Sequence, residues 1–157
     1  MAITAFTDII ALAEAKTYLR IDASQAETDE EITSMINAAF RFIEKQTNHI
    51  SFAQDVVYDV DTCIRIYDYP INSVVAPASS DDYSVEVKST FSNYSLSATT
   101  LTLNVGYSLD GSYPDDLRQA ALQMLKVWYF ESEKQANSTL IPISVKDVID
   151  SYRRFIL

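Results

Sequence analysis

The 157-residue sequence predicts a mainly α, α+β fold: a four-helix core with a small antiparallel β insertion between helices two and three. Three observations lead there. Pro114 opens a helix that is apolar nearly all round through Trp128, and such a helix must be wrapped by others. An amphipathic stripe precedes it at Ile32, Met35, Ile36, Ala39, Phe40 and Ile43, a run of 3- and 4-residue steps. Between Phe52 and Tyr107 the apolar period switches from helical to alternating. The expected organisation is one domain over 1–157, with a helical core at 10–48 and 113–157 and a β insertion at 52–107.

The elements follow in chain order. Leu12, Ala15, Tyr18 and Leu19 form one stripe of a short helix over 12–20, which Ile21-Asp22-Ala23-Ser24 ends. Thr28-Asp29-Glu30-Glu31 has the pattern of a capping box, in which Thr28 accepts the Glu31 N–H and Glu31 reaches back. The three acids also face the positive end of the helix dipole, and that helix runs to about Thr47. Val56, Tyr58 and Val60 then alternate with Val57, Asp59 and Asp61, as in a strand. Ile64 and Ile66 make a second strand, which Pro70 ends or marks as an edge. Ser73–Ala76 is a short strand, as is the alternation of Tyr83, Val85 and Val87. Leu101, Leu103 and Val105 make the cleanest strand in the chain. Ser79-Ser80-Asp81-Asp82 and Ser89–Ser97 read as loops. Pro114-Asp115-Asp116 starts the third helix, whose apolar positions are Leu117, Ala120, Ala121, Met124, Leu125, Val127 and Trp128. After a break at Asn137–Pro142 the last helix begins at Ser144, with Asp147 in the reciprocal capping position. Its stripe is Val145, Val148, Ile149, Tyr152 and Phe155 or Ile156.

Composition narrows the function. The formal net charge of −10, from 22 acidic and 12 basic residues, argues against tight binding to a phosphate backbone or an anionic membrane. The excess of acids lies in the first two thirds, and 112–157 is balanced. Solubility explains it most simply. The N-terminus lacks a basic region and its longest apolar run is Ile9–Ala13, so a soluble, cytoplasmically made protein is expected. One cysteine, Cys63, cannot make an internal bridge, and it is expected to be a small core or half-buried residue.

No catalytic constellation emerges. His49, the one histidine, has no partner fixed by sequence and reads as a solvated helix-end residue. No cysteine or histidine pair stands at metal-ligand spacing, so neither metal nor cofactor is expected. Asp29-Glu30-Glu31 and Asp115-Asp116 are accounted for as helix starts, and Asp81-Asp82 lacks the pattern of a calcium loop. With 2 glycines there is no phosphate-cradling loop. Of 10 tyrosines, six fall between Tyr58 and Tyr107. Strand preference and protein–protein contact both explain them.

Several local signatures occur in a telling order. They are Glu14-Ala15-Lys16-Thr17-Tyr18-Leu19-Arg20-Ile21-Asp22, then Ala38-Ala39-Phe40-Arg41-Phe42-Ile43-Glu44-Lys45-Gln46-Thr47, then Tyr69-Pro70-Ile71-Asn72-Ser73-Val74. Leu103-Asn104-Val105-Gly106-Tyr107 with Pro114, Trp128-Tyr129-Phe130-Glu131-Ser132-Glu133, Ile141-Pro142 and Tyr152-Arg153 complete the series. Together they resemble the tailed-phage head–tail connector (adaptor, head-completion) family. The resemblance implies a structural virion protein and no enzyme: a homo-oligomeric ring, of twelve copies, docked on the portal protein at the head–tail interface. Such a ring extends the DNA channel and meets a tail-side connector or stopper protein. DNA passes through without specific binding, and twelve copies would sum to roughly −120 charges facing a polyanion. The subunit-interface candidates are Tyr58, Tyr67, Tyr69, Tyr83, Tyr94 and Tyr107 with Arg153 and Arg154. The alternative is an acidic DNA-mimic inhibitor of a nucleic-acid-binding protein.

Overall fold

Apolar residues at two different periods bury themselves in two different places. In the computed structural model, residues 2–88, 91–97, 99–108, 111–132 and 141–153 are described. The helices are α1 (Phe6–Ile9), α2 (Leu12–Leu19), α3 (Asp29–Thr47), α4 (Asp115–Ser132) and α5 (Ile143–Tyr152). The strands are β1 (Gln54–Asp59), β2 (Cys63–Ile66), β3 (Ile71–Ala76), β4 (Tyr83–Val87), β5 (Ser92–Leu96) and β6 (Thr100–Val105). Arg154, Phe155, Ile156 and most of the expected break at 137–142 lie outside the described residues.

The helical part is built around α4, which packs on α2, α3 and α5. Leu117, Ala120, Ala121, Leu122, Met124 and Leu125 are all buried, which accounts for a helix apolar on most sides. Facing them are Ile32, Ile36, Ala39, Phe40 and Ile43 of α3, with Ala15 and Leu19 of α2 and Val145 and Ile149 of α5. Phe40 stacks on Phe6 of α1 at 5.3 Å and meets Tyr113 edge-on at 5.5 Å.

The expected four-helix core with one small β insertion is overturned. Among the described residues there are five α-helices and two three-stranded antiparallel sheets, an α+β fold. One sheet has the order β1-β6-β3, and β6 pairs with β1 from Gln54↔Val105 to Asp59↔Thr100. The other has the order β2-β5-β4. The sheets own an apolar cluster, Val60, Ile66, Tyr94, Leu96, Leu101, Leu103 and Val105, separate from the helical one. The missing piece is β5. Its serines and asparagine resemble a loop, yet Ser92, Tyr94 and Leu96 all point inward and are buried.

Both expected capping boxes also fail, for local reasons. A 3₁₀ turn at Ala26–Thr28 leads straight into α3, so Thr28 is already helical (φ −92°, ψ −5°). From there its hydroxyl donates back to the Gln25 carbonyl at 3.0 Å and makes no cap bond to the N–H of Glu31. At α5, Pro142 takes the cap position and its carbonyl accepts from Lys146 N at 3.0 Å. Ser144 is therefore inside the helix, and its hydroxyl donates to Gln123 Oε1 at 2.7 Å, docking α5 on α4.

Candidate functional site

The chain crosses between helices and sheets at one joint. α3 ends on Asn48 in the left-handed conformation (φ 58°), which turns the chain at once toward the sheets. Backbone bonds then tie three separate segments together. Ile50 N donates to Tyr69 O at 2.8 Å, Tyr69 N to Asn48 O at 2.9 Å, Tyr107 N to Ile50 O at 3.2 Å, and Gly106 N to Pro70 O at 2.8 Å. Gly106 has φ +108°, and a Cβ there would stand 2.2 Å from the Phe52 carbonyl oxygen. The Asn72 side-chain amide closes the joint by donating to Gly106 O at 2.7 Å.

His49 sits inside this joint. It is 6% exposed, so the expected solvated helix-end residue is in fact buried. The segment is pulled in because His49 bridges to Tyr69 as a short parallel strand contact. Its Nδ1 lies 2.8 Å from the Tyr107 hydroxyl, and the rings of Tyr69 and Tyr152 lie 5.0 and 5.4 Å away. Burial raises the Tyr107 phenol above its ordinary pKa, helped by Tyr69 and Tyr152. Two of the sequence-selected tyrosines, Tyr69 and Tyr107, therefore meet here. Tyr107 is buried, whereas Tyr69 keeps 43% of its surface exposed.

The remaining candidates are spread over the sheets. Tyr94 is buried and pairs with half-buried Tyr83 at 6.4 Å. Half-buried Tyr58 donates a short 2.5 Å bond to Asp68 Oδ2, and burial followed by that carboxylate raises its pKa. Tyr67, also half-buried, packs against Phe91 at 5.9 Å. Arg153 is exposed at the end of α5, near Asp150 at 3.8 Å and Gln46 at 3.3 Å. Arg154 lies outside the described residues. Cys63, expected to be core or half-buried, is exposed, because alternation along β2 turns Ile64 and Ile66 inward and Cys63 outward.

Two ion pairs went unread in the sequence. Lys16, 4% exposed, is bound by Asp29 and by the carbonyl oxygens of Gln25 (2.8 Å) and Ala23 (3.4 Å). Arg118 clamps both oxygens of Glu14 at 2.5 Å and the Ile9 carbonyl at 3.0 Å. Arg118 and Glu14 line a cleft of about 350 Å³ with Asp8 and Asp115. The arginine is already committed to its carboxylate, and the other charged groups lining the cleft, Asp8 and Asp115, are acids. Lys16 is legible only as an oddity on an apolar stripe, and its acid lies thirteen positions on. Among the described residues no three His, Cys, Asp or Glu gather closely enough to hold a metal ion, and no helix is long and apolar enough to cross a membrane. The arrangement offers surfaces for contact: exposed Tyr69 and Arg153, and the apolar side chains Val57, Val75, Val85, Val87, Phe130 and Ile143.

No family profile and no curated protein matches the chain. In fold it is similar to chains in solved gene transfer agent (GTA) particles. One is from the neck of an empty particle computed with C6 symmetry (16% identity, TM-score 0.72), and one from the virion of the native particle (15%, 0.73). A third is from the neck of the native particle computed with C12 symmetry (17%, 0.68). Each likeness covers 100% of this chain and 96% of the other. At these identities the correspondence is one of fold.

Proposed function

We propose that this chain is a structural protein of a virion neck, a head–tail connector that assembles as a ring between the capsid portal and the tail. The observation that carries this is the correspondence of its fold, over 100% of this chain and 96% of the other, with chains of gene transfer agent particles, necks among them. A shared site alone would match only part of the chain. The order of local signatures along the sequence points the same way.

In this reading the ring has twelve copies, seated on the portal and meeting a tail-side connector or stopper protein below. Its role is mechanical, with no reaction and no cofactor. An acidic lining suits a channel for DNA, because repelled phosphates slide and paired ones stick. Tyr69 and Arg153, both exposed, remain the best placed of the sequence-selected residues for contact with a neighbour.

Native mass spectrometry and electron microscopy of the purified protein, alone and with the portal of its own particle, test the proposal. Closed rings are expected, at least on the portal. A chain that stays monomeric at every concentration and ignores the portal overturns it.

A further inference from the structure

A sheet edge presents unpaired N–H and C=O groups, and soluble proteins blunt such edges with proline, bulges or charge. The β1-β6-β3 sheet obeys. β3 lies between Pro70 and Pro77 and has two register shifts against β6, while β1 exposes Asp55 and Asp59 on its outward row. The β2-β5-β4 sheet has neither proline nor bulge in its edge strands, and the charges within them, Glu86 on β4 and Arg65 on β2, are of opposite sign. β4 keeps unbroken register with β5 from Tyr83↔Leu96 to Val87↔Ser92, and β2 does so from Cys63↔Ser95 to Ile66↔Ser92. On the inward face two rows cross this sheet, Ile64–Tyr94–Val85 and Ile66–Ser92–Val87. Tyr94, Ile66 and Ser92 are buried, but Val85 and Val87 are 46% and 74% exposed. The apolar rows run off the β4 edge into solvent.

What continues them is the same sheet's opposite edge. β2 and β4 are both antiparallel to β5, so they are parallel to each other. In a ring of many copies each neighbour is turned by a small angle, and strand direction is kept. β4 of one copy can then lie beside β2 of the next in a parallel pair. Carrying the rows across sets Val85 against Ile64 of the next copy and Val87 against Ile66. On the outward face Glu86 meets Arg65, and Ser84 meets Cys63. Every junction brings an acid to a base, Glu86, which also contacts Lys88 of its own copy at 3.1 Å, beside Arg65, which lies over the ring of Phe91. Pairing β4 with another β4 would instead bring the two Glu86 side chains to the same seam.

We infer that the second sheet is the seam of the ring: β4 of each copy pairs in register with β2 of the next copy of this chain, so that the sheet continues from subunit to subunit. This rests on the ring proposed above and adds where the copies join. Ser84→Cys tests it. Within one copy, positions 63 and 84 both lie opposite Ser95 and are two strands apart, about 9.5 Å. That exceeds the ~7 Å a disulfide can span. Between copies the proposed register sets them side by side.

Mild oxidation of assembled Ser84→Cys protein is expected to give a ladder of covalent multimers on a non-reducing gel. The unsubstituted protein, with Cys63 alone, stops at dimers. Glu86→Arg and Arg65→Glu should each raise the concentration for half-assembly several-fold, and the two together should restore it. Rings from both proteins with no ladder, or a double swap no better than the singles, overturn the seam and leave the ring standing. Absence of rings from the unsubstituted protein, with and without portal, overturns both.

Discussion

Gly106 holds the joint between helices and sheets because nothing larger fits. Its φ of +108° is strained for any L side chain, and the Phe52 carbonyl occupies the place of a Cβ. Gly111, at φ +79°, has open space around the same position. The two glycines therefore separate strain from clash. Gly111→Ala should cost about 1 kcal/mol, the left-handed penalty alone, and Gly106→Ala about 3 kcal/mol or more. Urea unfolding midpoints of the two variants check this. Lys16 offers a second residue-scale test. Replacing it by Met keeps its apolar stem but leaves Asp29 and the Gln25 carbonyl without their cation. Asp29 is 37% exposed and can recruit water, so the loss should fall near the low end for a broken buried pair, about 2–3 kcal/mol. Double substitution with Asp29→Leu should recover part of it, as measured by the same midpoints.

At the scale of elements, helices and strands were unequally legible. α3 and α4 carry long apolar stripes at helical spacing, and they appear where the stripes put them. β6 alternates cleanly and sits in the centre of its sheet. β5 is equally central in the other sheet, but Ser92, Asn93 and Ser95 hide it. A central strand bonds to neighbours on both sides, whereas β2 and β4 bond on one side only. Hydrogen exchange should therefore find amides 92–96 the slowest of that sheet in the free subunit, with alternate amides of β2 and β4 fast. Exchange at 92–96 as rapid as in a loop would remove β5 from the centre.

Both apolar clusters of the molecule bury tyrosines, Tyr107 and Tyr113 in the helical one and Tyr94 in the other, with Tyr58 packed against that second cluster, and that sets its response to alkali. Burial is the leading cause that raises the phenols of Tyr58, Tyr94, Tyr107 and Tyr113 above the ordinary value of 10.0. The unfolded chain therefore loses these protons at lower pH than the folded one. Below about pH 10 both states are protonated and the full stability is present. Above it the unfolded state binds fewer protons, so stability falls as pH rises toward the native values. The urea midpoint should be level between pH 8 and about 9.5 and drop beyond pH 10. Tyr113→Phe should make that drop shallower. A midpoint that is flat through pH 11 would mean that these phenols titrate freely in the fold.

Sequence alone determined four of the five α-helices among the described residues, the existence of a β segment between helices and the acidic balance, because each is written in local periodicity and composition, whereas the single turn of α1 is too short to show a period. It also carried the order of short signatures that pointed to a connector. Tertiary structure decided the rest. Only folding set His49 among three tyrosines, Lys16 against Asp29 and Arg118 against Glu14, because these partners lie far apart along the chain or on different elements. Strand order is of the same kind: alternation shows which face of β4 is apolar, but only pairing decides that β4 is an edge and that its valines reach solvent. Periodicity is a property of neighbours in sequence, and an edge is a property of what fails to lie beside it in space.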